Sequence, residues 1–98
     1  MSVTPPRKMR VQILDEMQGF MRRHNASLGA WKVGTAVSAL AEMTERHGFK
    51  TTDIGLYRKA ASADDAASIV SYFIRRGAAG EGASKPGAVY VYALLPPR

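Results

Sequence analysis

Apolar side chains near the start of the chain recur every three or four positions, with polar residues between them. This spacing places them on one side of a helix and predicts an amphipathic helix over about residues 5–24. Thr4 is a suitable N-cap, and the basic residues before Asn25 lie where the negative end of the helix dipole would be. The apolar stripe consists of Met9, Ile13, Leu14, Met17, Phe20 and Met21.

The middle of the chain predicts a loop and two more helices. Residues 26–34 lack helical spacing and predict a loop or a short extended segment. Residues 35–47 predict a helix that Thr35 would cap and that Gly48 would end. A short third helix is predicted over about residues 52–60, because a threonine cap and an aspartate stand at its start.

The last third of the chain predicts one longer helix and one strand. Apolar residues again recur at helical spacing over residues 62–76, where Ser62 with Asp65 three residues later forms a capping-box-like start. Residues 88–95 are rich in β-branched and aromatic side chains and predict a strand. Since a lone strand leaves its backbone unpaired, we expect it to pair with a short strand at residues 78–81.

The order of elements between residues 49 and 95 follows a known arrangement. Its marks are TDI at 52–54, AAS at 60–62, FIRRG at 73–77, GEGASKPG at 80–87 and VYVY at 89–92. This order of helices, glycine-rich loop and aromatic strand resembles the winged helix-turn-helix class of DNA-binding domains. The resemblance implies a mainly α fold with a small β-hairpin, a winged helix domain at 35–98. The amphipathic helix and loop at 1–34 are added before this domain, because the minimal winged fold does not need them.

The resemblance also implies how DNA would be bound. In this class the second helix of the turn motif enters the major groove, and the wing contacts the backbone or the minor groove. Residues 62–76 would then be the recognition helix, and residues 78–95 the wing. The side chains carried over from the class are mainly donors that suit phosphates or base edges. These expected DNA-binding residues are Lys50, Thr52, Arg58, Ser68, Ser71, Tyr72, Arg75 and Lys85.

Two carboxylates depart from this pattern at the start of the predicted recognition helix. Asp64 and Asp65 suit a helix N-terminus, but close to phosphates each is repulsive by roughly 1 kcal/mol in water. The acidic start and the serine- and alanine-rich outer side of this helix favour an alternative. In that alternative the domain is a protein–protein interaction module, either an assembly subunit or an inhibitor of a larger complex.

The charge balance favours a polyanionic partner. The chain has 98 residues, with 14 Lys and Arg against 8 Asp and Glu, a net charge of +6 and a pI near 10.1. Nucleic acid is the first choice of partner, and an anionic membrane is the second. Seven of the 14 basic residues lie in the last turns of predicted helices, where helix dipoles explain them equally well.

No set of residues predicts catalysis, a metal site or a cofactor. The sequence has no cysteine, which excludes disulfides, thiolate zinc sites and cysteine nucleophiles. His24 and His47 lack a metal-ligand spacing, the glycines and lysine at 80–85 lack the spacing of a phosphate loop, and no serine has a paired base. No apolar run approaches the roughly 18 residues of a membrane span, and we expect no signal peptide.

These observations lead to one hypothesis and one alternative. We expect a small protein that binds double-stranded DNA as a transcriptional regulator and is not an enzyme. We expect it in the cytoplasm, and associated with the nucleoid if the source is prokaryotic. The N-terminal helix either covers one side of the domain or joins two copies in a homodimer, which would suit a palindromic site. Among the roles of this helix, binding to a membrane ranks last, because its polar side includes Asp15, Glu16 and Gln18 and is not strongly basic. The alternative is the protein–protein interaction module.

Overall fold

A computed structural model describes residues 10–24, 28–38, 41–46, 48, 54–80 and 85–95. The elements in chain order are helix α1 (Arg10–Arg23), a 3-10 turn (Leu28–Ala30), strand β1 (Lys32–Ala36), a π-helical turn (Glu42–Arg46), strand β2 (Ile54–Lys59), helix α2 (Ala63–Ile74), and strands β3 (Ala79–Gly80) and β4 (Tyr90–Leu95). None of the helices in these residues is long and apolar enough to cross a membrane.

The strands form one mixed sheet in the order β2-β4-β1-β3. Strand β4 is antiparallel to both of its neighbours, whereas the short β3 is parallel to β1. Helices and a four-stranded sheet together make an α/β fold. The predicted mainly α fold, a winged helix-turn-helix with a small hairpin, is therefore wrong.

Strands lie within the ranges of two predicted helices. The helix predicted over 35–47 is wrong at residues 35 and 36, which belong to β1, whereas its described residues 41–46 are helical and include the π-helical turn. The helix predicted over 52–60 is β2 in its described residues. Strand β1 is buried on both sides from Val33 to Ala36, so it shows no alternation of apolar and polar residues. Its residues include the boundary predicted between 34 and 35.

The short strand predicted at 78–81 is present as β3, but its predicted pairing with 88–95 in a wing hairpin is wrong. Strand β3 pairs with β1, with Ala79 opposite Lys32 and Gly80 opposite Val33. Gly80 has a φ of 146°, and a Cβ at this position would overlap the backbone carbonyl of Val33. Only glycine fits such a close approach, so Gly80 serves the pairing of β3 with β1.

Three predicted elements are confirmed in the described residues. Helix α1 carries the expected apolar stripe, although residues 5–9 of the prediction lie outside the described part of the chain. Helix α2 begins after Ser62, whose Oγ accepts a hydrogen bond from the backbone N–H of Asp65 at 3.1 Å. This is the N-cap that the sequence predicted. The aromatic strand is β4.

Both helices pack against the same side of the sheet, which we call the helix face. Alternate strand residues point to this face and join the helices in one buried cluster: Ile13, Met17, Met21, Trp31, Val33, Leu56, Ala60, Ala66, Ile69, Val70, Phe73, Ala78, Val91 and Ala93. The apolar stripe of α1 thus packs against the sheet of its own chain. A second, smaller cluster lies on the opposite side, which we call the outer face, and consists of Ala36, Met43, Tyr92 and Leu94.

Candidate nucleic-acid interface

The register of the strands fixes which residues are neighbours on the outer face. Because side chains alternate between the two faces, every second residue of β2, β4 and β1 belongs to the outer face. Cross-strand partners then form three rows. The rows are Lys59, Tyr90 and Ala36, then Tyr57, Tyr92 and Gly34, then Gly55, Leu94 and Lys32.

Only part of this surface is covered by the described residues. Met43 of the π-helical turn packs with the Tyr92, Leu94 and Ala36 side chains and buries them. On the β2 side, the Tyr57 side chain is 43% exposed, Lys59 is exposed and Tyr90 is half-buried. We call the surface formed by Tyr57, Lys59 and Tyr90 the open half. It places two aromatic rings and one cation side by side.

The two rings of the open half contact each other edge to face. The centroids of Tyr57 and Tyr90 are 6.1 Å apart, and the ring planes are inclined by 68°. Such a tilted pair is a favourable aromatic geometry and holds both side chains in place. The backbone of Tyr57 also has a side-chain partner, because Nη1 of Arg58 donates a hydrogen bond to the Tyr57 carbonyl at 2.8 Å.

A third tyrosine forms the floor between the open half and β1. The ring of Tyr92 lies directly on the backbone of Gly34, where a Cβ would overlap the ring atoms. Tyr92 is consequently buried, and its ring fills the centre of the outer face. A side chain at position 34 would lift this ring and disturb the surface on which Tyr57 and Tyr90 rest.

The outer face carries a lysine at two opposite corners. Lys59 and Lys32 are both exposed, and they lie two strands and four residues apart along the register. Standard strand spacing and rise place their backbones about 17 Å apart. Two acidic residues lie at the Ala36 end of the same face, where Glu42 and Glu45 line a shallow pocket of about 520 Å³ together with Ala36 and Lys85. Ala36 is the cross-strand partner of Tyr90, so this face carries both signs of charge, and its exposed strand cations are Lys59 and Lys32.

The predicted DNA-binding residues do not form one surface. Lys50 and Thr52 lie outside the described residues. Arg58 lies on the helix face, where its Nε donates to Oε1 of Glu16 at 2.7 Å. Lys85 is exposed in the pocket beside Ala36, away from α2.

The other four predicted residues do come together. Ser68, Ser71, Tyr72 and Arg75 line a groove between α1 and α2, which we call the interhelical groove. One side of helix α2 is buried against the sheet, and α1 lies alongside it. DNA binding by these four residues stays a prediction.

Sequence reasoning missed Tyr57, Lys59, Tyr90 and Lys32 as a surface. The sequence did hold a signal, since Tyr57 and Lys59, like Tyr90 and Tyr92, are two residues apart and share a face in a strand. The helix predicted over 52–60 separated Tyr57 from Lys59, so the signal was not read.

Neither a metal site in the described residues nor a known relative indicates a function. Within the described residues, no group of three or more His, Asp and Glu side chains is placed to hold a metal ion. No known protein family, curated protein or solved structure matched the chain, so the function is inferred from this geometry.

Proposed function

We propose that the protein binds single-stranded nucleic acid on the open half of the outer face. In this proposal the bases stack on Tyr57 and Tyr90, and the ammonium group of Lys59 contacts a phosphate. The observation that carries the proposal is the exposure of Tyr57, at 43%, next to a second tyrosine and a lysine on a sheet surface. The net charge of +6 supports a polyanionic partner.

Aromatic rings on an exposed sheet suit unpaired bases. Single-stranded nucleic acids are commonly bound by sheets or barrels whose aromatic side chains stack on bases, with basic residues following the backbone. Stacking of this kind tolerates many sequences, since every base has a π face. The proposal therefore predicts weak sequence preference.

Duplex DNA fits the open half less well. The bases of a duplex are stacked on one another, so Tyr57 and Tyr90 would reach only its backbone or groove edges. In the described part of the chain, the open half consists of strand residues and carries no helix that could enter a major groove. A strong preference for single strands over a duplex of the same sequence follows from the proposal.

The test is a fluorescence anisotropy titration with labelled dT12 and with a 12-base-pair duplex. We expect Tyr57→Leu to weaken dT12 binding by about 5- to 150-fold, because the stacking of one base contributes about 1–3 kcal/mol. Tyr57→Phe is the matched control and keeps the affinity within about twofold, since it retains the ring. Lys59→Ala should reduce the slope of log affinity against log salt by about 0.7.

Two results would overturn the proposal. One is equal loss of affinity in Tyr57→Leu and Tyr57→Phe, which would assign the effect to the hydroxyl or to misfolding. The other is binding of the duplex at least as tight as that of dT12, with no effect of Tyr57→Leu. Loss of duplex binding in Arg75→Ala and Lys85→Ala would then favour the original hypothesis of a duplex-binding regulator.

A further inference from the structure

The interhelical groove is a second surface, on the other side of the sheet from the open half. It lies between α1 and α2 and has a volume of about 750 Å³. Its apolar lining comes from Val11, Leu14 and Ala67. The Val11 side chain is 64% exposed, although it lies beside a half-buried leucine. An exposed valine above a half-buried leucine and a buried alanine gives the groove an apolar floor between two helices, a geometry in which helical segments of other chains bind.

Polar groups surround this apolar lining. Arg10 on α1 and Arg75 on α2 are both exposed and both line the groove. The hydroxyl of Tyr72 accepts a hydrogen bond from Nε2 of Gln18 at 2.7 Å, which fixes the phenol ring between the helices. Two serine hydroxyls, those of Ser68 and Ser71, lie on the same side of α2.

The guanidinium of Arg76 strengthens the same wall. It lies over the Tyr72 ring, 3.6 Å from the centroid, and its Nη1 donates to the Tyr72 backbone carbonyl. The Tyr72 side chain is therefore held at both its ring face and its hydroxyl. The wall of the groove is preorganised, which reduces the entropy that a ligand must remove on binding.

We propose that the interhelical groove binds a short acidic amphipathic segment of a partner protein. Its apolar side chains would contact Val11 and Leu14, and its carboxylates would pair with Arg10 and Arg75. Planar guanidinium groups match carboxylates in a bidentate geometry, which makes an acidic segment the complementary occupant. The groove follows α2 from residue 64 to residue 75, about 16 Å at the rise of an α-helix, and this length suits roughly three helical turns.

The composition of the groove disfavours nucleic acid as its occupant. Asp64 also lines the groove, and its carboxylate would repel a phosphate backbone. A peptide can place a neutral or basic residue opposite Asp64, and its apolar side chains can contact Val11. A sugar-phosphate backbone has no such side chains and would leave Val11 and Leu14 without apolar contacts.

The probes are two fluorescein-labelled peptides of 12 residues with leucines at the same i, i+3, i+4 and i+7 positions. The other positions of one peptide are Glu and Ala, and those of the second are Lys and Ala. Fluorescence polarisation with the full chain should detect binding of the acidic peptide only. We expect Arg10→Glu with Arg75→Glu to weaken it by about tenfold or more, because two attractions become repulsions.

The matched control is Arg22→Glu with Arg23→Glu, which changes the net charge equally at exposed positions that do not line the groove. This control should keep at least half of the affinity. Val11→Ser should weaken the acidic peptide several-fold through loss of apolar contact, and Asp64→Asn should bind it as tightly as the parent or more tightly. Circular dichroism and the thermal midpoint establish that each variant is folded.

Several outcomes would overturn this inference. They are absence of acidic peptide binding at millimolar concentration, equal binding of the basic peptide, or equal weakening by the control pair. The dT12 titration separates it from the proposed function, because Arg10→Glu with Arg75→Glu should leave Tyr57-dependent binding within about threefold. If this pair abolishes dT12 binding and leaves the peptides unaffected, the groove binds nucleic acid instead.

Discussion

The two faces of the sheet are built from the same strands but are covered to very different extents. On the helix face, α1 and α2 bury every member of a large apolar cluster, with Phe73, Ile69 and Val91 at its centre. On the outer face, the described residues provide one short π-helical turn, and Tyr57 is 43% exposed. The difference separates stability from recognition, since burial stabilises one face and exposure leaves the other available to a ligand.

Strand β4 shows how one segment serves both faces. Val91 and Ala93 point into the helix face, whereas Tyr90, Tyr92 and Leu94 point outward. Because β4 lies at the centre of the sheet, every residue from Val91 to Leu94 is buried. Towards the edge strand β2 the outer face becomes exposed, and the aromatic pair lies at this transition.

The largest expected contrast between the faces is in the free energy of unfolding. Phe73→Ala removes a ring that is 1% exposed in the main cluster, and we expect a loss of about 3–5 kcal/mol. Tyr57→Ala removes a half-exposed ring with one aromatic neighbour, and we expect a loss of about 1 kcal/mol. Urea denaturation followed by circular dichroism measures both values.

The comparison depends on the ratio of these two losses. If Tyr57→Ala costs as much as Phe73→Ala, the outer face is a second core, and the open half is not available to a ligand. If instead Phe73→Ala costs about 1 kcal/mol or less, the helices are not what holds this domain together. Either result would remove the distinction between a stabilising face and a recognition face.

A smaller effect is expected at the contact between Gly34 and Tyr92. Gly34→Ala introduces a Cβ that overlaps the Tyr92 ring, and we expect a loss of about 1–3 kcal/mol from overpacking. Gly19→Ala is the matched control, because a Cβ there meets no atom within 4 Å and lies within α1. Alanine is favoured over glycine inside a helix, so this control should gain about 0.5–1 kcal/mol.

The cause of the Gly34 effect is tested by a second substitution. Tyr92→Leu shortens the side chain that the new Cβ would meet, so Gly34→Ala should cost less in the Tyr92→Leu background than in the parent. Chemical denaturation of the four proteins gives this difference directly. Equal losses of stability in both backgrounds would show that the backbone conformation at position 34, and not the close approach of the Tyr92 ring, requires glycine.

The sequence predicted the helices of the fold well and most of its strands poorly. Helix α2 was predictable because Ser62 caps it and Ile69, Val70 and Phe73 recur at helical spacing. Strand β1 was not predictable, because residues 33–36 are buried on both sides of the sheet. Their sequence, VGTA, therefore shows no alternation of apolar and exposed polar residues. Parallel pairing of β3 with β1 joins residues nearly 50 positions apart, and no local pattern encodes it.

The candidate site was predictable only after the strands were known. Lys32, Tyr57 and Tyr90 are far apart in the sequence, and the order β2-β4-β1 brings them to one face. The net charge pointed to a polyanion but not to a surface, and Arg58 shows why. Arg58 forms an ion pair with Glu16 of the same domain, whereas the neighbouring Lys59 points to the outer face.

The smallest predicted effect compares these two neighbours. The side chains of Arg58 and Glu16 are 38% and 33% exposed, and their ion pair has an N–O distance of 2.7 Å. Water screens a pair of this exposure, so a double-mutant cycle with Arg58→Ala and Glu16→Ala should give a coupling of about 0.2–1 kcal/mol that falls as salt rises. Lys59→Ala should change the free energy of unfolding by less than about 0.5 kcal/mol.

The same three variants also divide stability from binding. Lys59→Ala should weaken dT12 while leaving unfolding almost unchanged, because its ammonium group faces the proposed ligand and not the core. Arg58→Ala should do the reverse, with a small loss of stability and dT12 affinity within about twofold, since its guanidinium lies on the helix face. If Arg58→Ala and Lys59→Ala weaken dT12 binding equally, the total positive charge of β2 determines the affinity, whichever face each side chain lies on. The alternation of its side chains would then no longer assign one face to folding and the other to binding.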